Sequence, residues 1–566
     1  MKNFLSRPYL TLLWTITILK LTLTPAADMP ETPAWKLLSF DTAAHAGVFA
    51  VLALLAWLWL RHRLRYPALV VLVGCAVLGG LIEVLQYSMA LGRHAEWSDL
   101  LSDTIGAALA LVFVGLGQLG RQRLAASALL LLAATATHAQ AAPDLARARR
   151  TIAELASEKM HGRGYVQQGE HRAAAYLRGR LKQLGLQPLA PDYTQPFTLD
   201  VNTFPGAMEL IVSDGKQQIQ LQPGTDFIAA PDCPAISRQV FYLDCPDTLT
   251  YQHAAASLSS SISGRVDAAY SSALLLRQRD EARLQAPANA GLAAKYAGPT
   301  HPHLETVAKL TASVAATQSS QPRLQILASS LPEWVTSRDA RATIQLDARL
   351  IHNYPTQNLA AVVRGSAQPD SFVVVTAHYD HLGMMGKNVY FPGSNDNASG
   401  VALLLELAAH YARPENRPRC SVAFLLLGAE EAGLVGSSYF VQHPLLPLPR
   451  IKFLVNLDLL GTGEEGATVV NGKVYERAYQ QLVALNEAHH YLPRLGARGR
   501  AANSDHYPFS EAGVPAFFIY TRGGSPAYHD VHDQPAALSL AGFAGAYGLV
   551  RDFLDGAGAA PARGPR

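Results

Sequence analysis

Cysteine is scarce: four occur in 566 residues, and no two form a Cys-x-x-Cys pair. Any metal must therefore be held by imidazole and carboxylate. Cys75 lies in an apolar run and Cys420 precedes a predicted core strand, so both are expected as buried thiols. Cys233 and Cys245 could pair only if their region is exported. A charge of one sign is also missing. Lys and Arg number 47 against 44 Asp and Glu, a net charge of +3, so composition offers no footing for a nucleic-acid partner. Charged residues make up 16% and hydrophobic ones 49%, an unusual balance for a water-exposed enzyme. The apolar excess is concentrated before residue 140. A chain of this length is expected to hold two to four domains.

What the N-terminal part does have is long apolar runs, at about 9–23, 43–60, 67–87 and 100–119. Crossing a hydrocarbon core of about 30 Å takes about 20 helical residues, so four spans are expected, the first of them short. Lys2 and Arg7, then Arg61, Arg63 and Arg65, then Arg121 and Arg123 fall in alternate connections. The positive-inside rule then puts the N-terminus in the cytoplasm. A shorter run, 124–134, leads to an Ala-x-Ala end near Ala141, which reads as an internal signal-like segment or a fifth membrane helix. Ionisable and amide groups recur inside the runs: Asp41 and His45, Glu83 and Gln86, then Arg93, Trp97, Asp99 and Asp103. Such groups at membrane depth are costly and face a bundle interior. Their pattern resembles the VanZ-like membrane family over roughly 10–119, with Asp103 where that family often has Asn.

Beyond residue 142 the apolar pattern changes. Asp144 after Pro143 is placed to cap a helix. Residues 170–184 carry Ala174, Leu177, Leu181 and Leu184 on one helical face, with Gly185 as the stop. Signals weaken between about 205 and 345, which reads as an insertion or lid. Only short alternating stretches such as 208–212 and 342–346 look like strands there. From Asn358 onward, strands (359–363, 372–377, 421–427, 453–458, 516–520) alternate with helices (400–411, 434–441, 474–489, 537–554). That alternation predicts a mostly parallel central sheet covered by helices.

Chemistry-bearing residues sit where those strands end. His378 and Asp380 close an apolar run. Asp396 lies in the Gly-rich turn Gly393-Ser394-Asn395-Asp396-Asn397-Ala398-Ser399-Gly400. Glu430 and Glu431 follow Leu425-Leu426-Leu427, Asp458 follows Leu457, and His529 lies beyond a further strand. A lone Glu-Glu pair is usually a solvated surface and a lone Asp-Asn turn only a turn. Convergence on successive strand ends, where open α/β sheets bind ligands, favours a site instead. His378, Asp396, Glu431, Asp458 and His529 are the right types for two divalent ions, which need a bridging carboxylate; Asp396 is the natural one. Asp380 can orient the His378 imidazole. Glu430 is left free to take a proton from water, and Tyr528 could donate to a developing oxyanion. Asp505 and His506 are expected to shape the pocket.

Together these motifs resemble the co-catalytic zinc aminopeptidases of clan MH, the leucyl aminopeptidase and glutamate carboxypeptidase type. The motifs are Ala-His378-Tyr-Asp380-His-Leu-Gly, Gly-Ser-Asn-Asp396-Asn-Ala-Ser-Gly, Gly-Ala-Glu430-Glu431-Ala-Gly-Leu, Asn-Leu-Asp458, Ser-Asp505-His506-Tyr-Pro-Phe and Tyr528-His529-Asp-Val-His-Asp533. The resemblance covers 143–555. It implies a phosphorylase/hydrolase-like α/β fold and two zinc ions per chain, one on His378 and Asp458, the other on Glu431 and His529, with Asp396 between. It also implies Glu430 as base and then acid to the leaving amine, Tyr528 on the scissile carbonyl, and a peptide substrate. Where that family reads His-Thr, this chain has His529-Asp530-Val531-His532, so His532 is a rival ligand, though spacing to Asp533 favours His529.

The expected organisation is a VanZ-like membrane domain at 1–120, the signal-like segment at 121–142 and a peptidase domain at 143–560. The chain would then sit in a bacterial inner membrane, held through residues 1–120, with the peptidase periplasmic or extracellular. Rival readings are a single-zinc glutaminyl cyclase, an inactive peptidase-like binding module, and an envelope resistance factor carrying the peptidase as passenger.

Overall fold

The computed structural model describes residues 8–22, 40–61, 63–64, 66–89, 97–117, 142–244, 271–276, 302–336 and 340–559. The chain divides into two compact units, residues 1–140 and 141–566. The signal-like segment falls almost wholly outside the described residues, and so does Cys245 and its pairing with the buried Cys233.

The N-terminal unit holds helices α1 (Pro8–Thr22), α2 (Phe40–Leu60), α3 (Pro67–Met89) and α4 (Trp97–Gly117). They close around Ile18, Phe49, Leu52, Val71, Cys75, Ile82 and Ala107. Gly106 lets α4 meet α2 closely, since a Cβ there would lie 2.0 Å from the Ala46 carbonyl oxygen. Among the described residues, no helix is long and apolar enough to cross a membrane. This corrects the membrane bundle, the membrane as a partner through residues 1–120, and the inner-membrane placement. The physical reason lies in where the polar residues fall. Helix α1 has only 15 residues. The other three carry Asp41 and His45, Glu83, and Asp99 and Asp103 within them, groups that are costly at membrane depth.

In the second unit, Asp144 caps α5 (Leu145–Leu155), its carboxylate accepting from the Arg147 N–H at 2.9 Å. Helix α6 (Gly169–Gln183) ends before Gly185, whose φ of 71° suits a left-handed stop. The first sheet contains β1 (Gln187–Pro188) and β2 (Thr194–Thr203). The chain then leaves it for β3 (Met208–Ser213), β4 (Gln218–Leu221), β5 (Phe227–Ala229), β6 (Ile236–Asp244), β7 (Ser271–Leu276), β8 (His303–Val307), β9 (Arg323–Leu327) and β10 (Arg341–Leu346). These eight form their own sheet, ordered β4-β3-β10-β6-β7-β8-β9-β5, over a core that includes Leu210, Phe227, Leu304, Ile326 and Ile344. The weakly patterned insertion is therefore a packed β-layer. Its strands are short and half-exposed, with alternate residues buried as in β10, which is why periodicity shows only in fragments.

The chain returns through β11 (Arg349–Val363), β12 (Gln368–His378), α7 (Gly400–Tyr411), β13 (Cys420–Leu427), α8 (Val435–Gln442), β14 (Ile451–Leu457), β15 (Gly466–Val470), α9 (Glu476–His489), β16 (Leu495–Ala497), α10 (His506–Glu511), β17 (Ala516–Arg522) and α11 (Phe543–Ala559). The main sheet runs β1-β11-β13-β12-β14-β17-β15-β16, with β2 also on β11. It is mixed, which corrects the expectation of a mostly parallel sheet. β12 pairs in parallel with β13 and β14, and β14 with β17, whereas β11/β13 and β15/β17 are antiparallel. The parallel strands are covered on both faces, so β13 is buried from Cys420 to Leu427 and reads as one unbroken apolar run. Helix α7 is buried nearly all round. Its single acid, Glu406, is matched by the Arg147 guanidinium at 2.6 Å.

Candidate metal centre

The parallel strands β12, β13, β14 and β17 end on one edge, and each delivers a functional residue just past its carboxyl end. His378 is the last residue of β12. Glu430 and Glu431 follow β13, and Asp458 follows β14. His529 lies in the loop after β17, and Asp396 in the turn opening α7. Several of these turns use left-handed backbone at non-glycine residues: Ala429 (φ 57°), Leu459 (58°) and His529 (54°). Such conformations persist only where surrounding contacts hold them.

The geometry brings five of the predicted residues together. His378 Nε2 is 3.3 Å from Asp396 Oδ1 and 3.4 Å from Asp458 Oδ1. His529 Nε2 is 3.1 Å from Asp396 Oδ2 and 3.3 Å from Glu431 Oε2. Asp396 thus faces one imidazole with each oxygen. Two groups of side chains could hold a metal ion: His378, Asp396 and Glu431, and His378, Glu430 and Asp458. His532 is exposed.

The supporting contacts are specific. The Asp380 carboxylate accepts the N–H groups of Glu430 (3.1 Å) and Glu431 (3.3 Å). His378 Nδ1 meets the Asp380 main-chain oxygen at 3.2 Å, while Asp380 Oδ1 is 3.9 Å away. Asp380 therefore pins the Glu-Glu turn as well as lying beside the ring. Ser504 donates to Asp458 Oδ2 at 2.8 Å and itself accepts from Asn456, which accepts from Thr376. Asp533 accepts the N–H groups of Asn395 and Asp396. Arg163, wholly buried, donates to the carbonyls of Tyr379, Leu155, Pro392, Gly393 and Asp396.

Burial and crowding set the charges. Burial pushes Asp380 and Asp505 up to about 7, and burial holds Glu430 well above the usual carboxylate range. Burial alone would lower His378, but the carboxylates of Glu430, Asp458 and Asp396 hold it well above normal. Burial likewise opposes His529, yet Glu431 and Asp396 raise it to about 9. Asp396 stays well below normal despite its burial, because both imidazoles face it. This excess of buried carboxylates over imidazoles is the donor set that hard and borderline divalent cations take. Asp458 Oδ1, buried and without a hydrogen-bond partner, points to the same need. The residues present fit two such ions.

Three predicted residues lie at the margin. Tyr528 is 44% exposed and stacks on the His529 ring, centroids 4.0 Å apart. Asp505 is buried, and His506 is buried against Phe518 with its pKa lowered to about 4 by burial. Sequence reasoning passed over His381 as a functional residue. Its Nδ1 is 2.7 Å from Glu431 Oε1, and its ring occupies the space a Cβ on Gly393 would need, 2.4 Å from Cδ2. The signal was available: a histidine just past a strand end, beside Asp380.

Comparison with known proteins fits this picture. Residues 358–554 match Peptidase family M28, and residues 5–117 match VanZ/LLP1. Aminopeptidase YwaD of Bacillus subtilis is 31% identical over 216 residues, covering 36% of this chain and 44% of that protein. The chain thus spans under half the length of this curated relative. In fold, the zinc aminopeptidase BSAP from Bacillus subtilis superposes with a TM-score of 0.52 at 21% identity, over 72% of this chain and 93% of that one. A Peptidase M28 precursor from Shewanella amazonensis gives 0.52 at 15% identity, over 74% and 99%. The chain thus pairs an N-terminal region similar to VanZ/LLP1 with a C-terminal region similar to Peptidase family M28 that holds two candidate metal-binding groups.

Proposed function

We propose that the C-terminal unit is an aminopeptidase that removes N-terminal residues from peptides at a two-zinc centre. The observation that carries this reading is the position of Asp396, with Oδ1 toward His378 and Oδ2 toward His529. Asp458 completes the first side and Glu431 the second. Zinc bound there supplies Lewis acidity and makes a water acidic near neutral pH. The remaining work falls to the chain. Glu430, in reach of His378 and Asp458, is the general base, and its raised pKa suits it to return the proton to the leaving amine. Asp380 holds the backbone of that glutamate in place. Tyr528, partly exposed and stacked beside His529, donates to the scissile carbonyl oxygen in this reading.

The test is hydrolysis of a panel of aminoacyl substrates and their N-acetylated counterparts, with and without chelator. An aminopeptidase cleaves the free amines, ignores the blocked ones and stops when metal is removed. Cleavage that is indifferent to N-acetylation would refute the exopeptidase assignment. One tightly bound zinc per chain, with cyclisation of N-terminal glutamine, would favour the cyclase.

A further inference from the structure

The loop that carries His529 is held by the inserted β-layer as well as by the catalytic unit, where Asp533 accepts from Asn395 and Asp396. The connection between β8 and β9 reaches it at two residues. The Ala312 N–H donates to the His529 carbonyl at 2.9 Å, and the Ala312 carbonyl lies 2.9 Å from His529 Nδ1. Lys309 Nζ donates to the Pro526 carbonyl at 2.9 Å and lies 3.4 Å from Asp530 Oδ2. The apolar side is gripped as well. Val531, two residues past His529, packs against the core of the inserted layer. Gly224, in the turn before β5, makes room for it: a Cβ there would lie 3.0 Å from Val531 Cγ1 and 2.6 Å from Val389 Cγ1. The connection is itself pinned, since the Ala315 carbonyl accepts the Asn202 N–H and Gln318 donates to the Asn202 side chain.

A carbonyl can only accept. Facing Ala312, His529 Nδ1 must therefore be the protonated nitrogen, which leaves Nε2, on the side of Asp396 Oδ2 and Glu431 Oε2, as the atom a metal ion would take. The backbone of His529 is left-handed, so it needs an outside hold, and the Ala312 N–H supplies one.

Resting on the two-zinc reading, we propose that the inserted layer is a working part of one metal site: Ala312, braced by Lys309 and Val531, is the positioning element that fixes the tautomer and direction of His529. Among the described residues, no hydrogen bond or ion pair ties His378 or Asp458 to the inserted layer, their support coming from Asp380, Ser504 and β14. Loosening the insert should therefore weaken one zinc and spare the other.

The experiment measures zinc per chain after dialysis, and zinc affinity by competition with a chromophoric chelator, for the full chain, Ala312→Pro and the double variant Lys309→Ala/Val531→Ala. His529→Ala marks the expected one-zinc state. The expected result is wild type with two zincs, and variants in which one zinc binds about 10 to 100-fold more weakly while the other keeps its affinity. Val531→Leu alone, which keeps an apolar contact with the inserted layer and leaves Lys309 in place, should bind the weakened zinc more tightly than the double variant does. If Ala312→Pro does not fold, the double variant decides alone. Two zincs held as tightly as in wild type overturn the proposal, and so does equal weakening of both in a folded variant. Fewer than two zincs in wild type would instead sink the two-metal reading before any variant is compared.

Discussion

Glu430 and Glu431 are neighbours in sequence with opposite environments, and the difference can be tested. Glu431 is tied by His381 on one oxygen and faces His529 with the other. Glu430 has its backbone fixed by Asp380, and burial raises its pKa. Glu430→Gln keeps the shape and removes the proton acceptor. Its kcat should fall by about 10²- to 10⁴-fold, with KM and two zincs per chain retained. Loss of a zinc would instead make Glu430 a ligand, as its grouping with His378 and Asp458 allows. A second buried acid, Glu170, lies outside the metal ligands and accepts from Gln357 at 3.1 Å. Burial raises it to about 8. The folded protein therefore binds this proton more tightly than the unfolded chain, so its contribution is full below about pH 4.3, the free glutamate value, and is lost as pH rises toward 8. Glu170→Gln should flatten that part of a Tm-against-pH curve, and an unchanged slope would assign the pH dependence elsewhere. At this scale the sequence showed the side chains whose chemistry stands at strand ends. It could not show Ala312, which acts through backbone atoms and leaves no mark in residue type.

Strands and helices after Asn358 were legible because both faces of the parallel strands are buried, which forces long apolar runs. β13 shows the consequence. Leu426 faces the core shared with α7 and α11, and Leu425 faces the one shared with α8 and α10. Leu425→Ala and Leu426→Ala should each cost about 2–5 kcal/mol by denaturant unfolding. A strand with one solvated face would show a large loss at only one of the two. The same runs do not reveal direction, so the sequence shows the strand at 359–363 without its antiparallel setting, does not show β15 at all, and implies a mostly parallel sheet. β11 pairs with β2 as well as β13, a long-range choice that no local pattern encodes. In the N-terminal helices apolar content was legible and its consequence was not. Acidic and imidazole groups interrupt three of the runs; in the sequence they read as facing the interior of a membrane bundle.

At the scale of the molecule, every residue of the candidate centre lies in the second compact unit, and so does every brace found among the described residues. The braces come from Arg163 before the sheet, from Ala312 in the inserted layer and from Asp533 near the end of the fold. Residues 141–566 alone should therefore fold, hold two zincs and keep kcat/KM within about twofold of the full chain, since this unit carries all the described site residues and their braces. Measured on one aminoacyl substrate with both proteins at equal zinc content, a loss beyond tenfold would show that the first 140 residues contribute to the site. The inserted layer should behave in the opposite way. Its core takes in Met385 and Phe391 from the loop between His378 and Asp396, and Val531 packs against it beside His529. Replacing residues 206–346 by a short linker should thus abolish tight zinc binding on the His529 side even where the main sheet still forms. The two deletions together would separate a region that accompanies the enzyme from one that is built into its metal site.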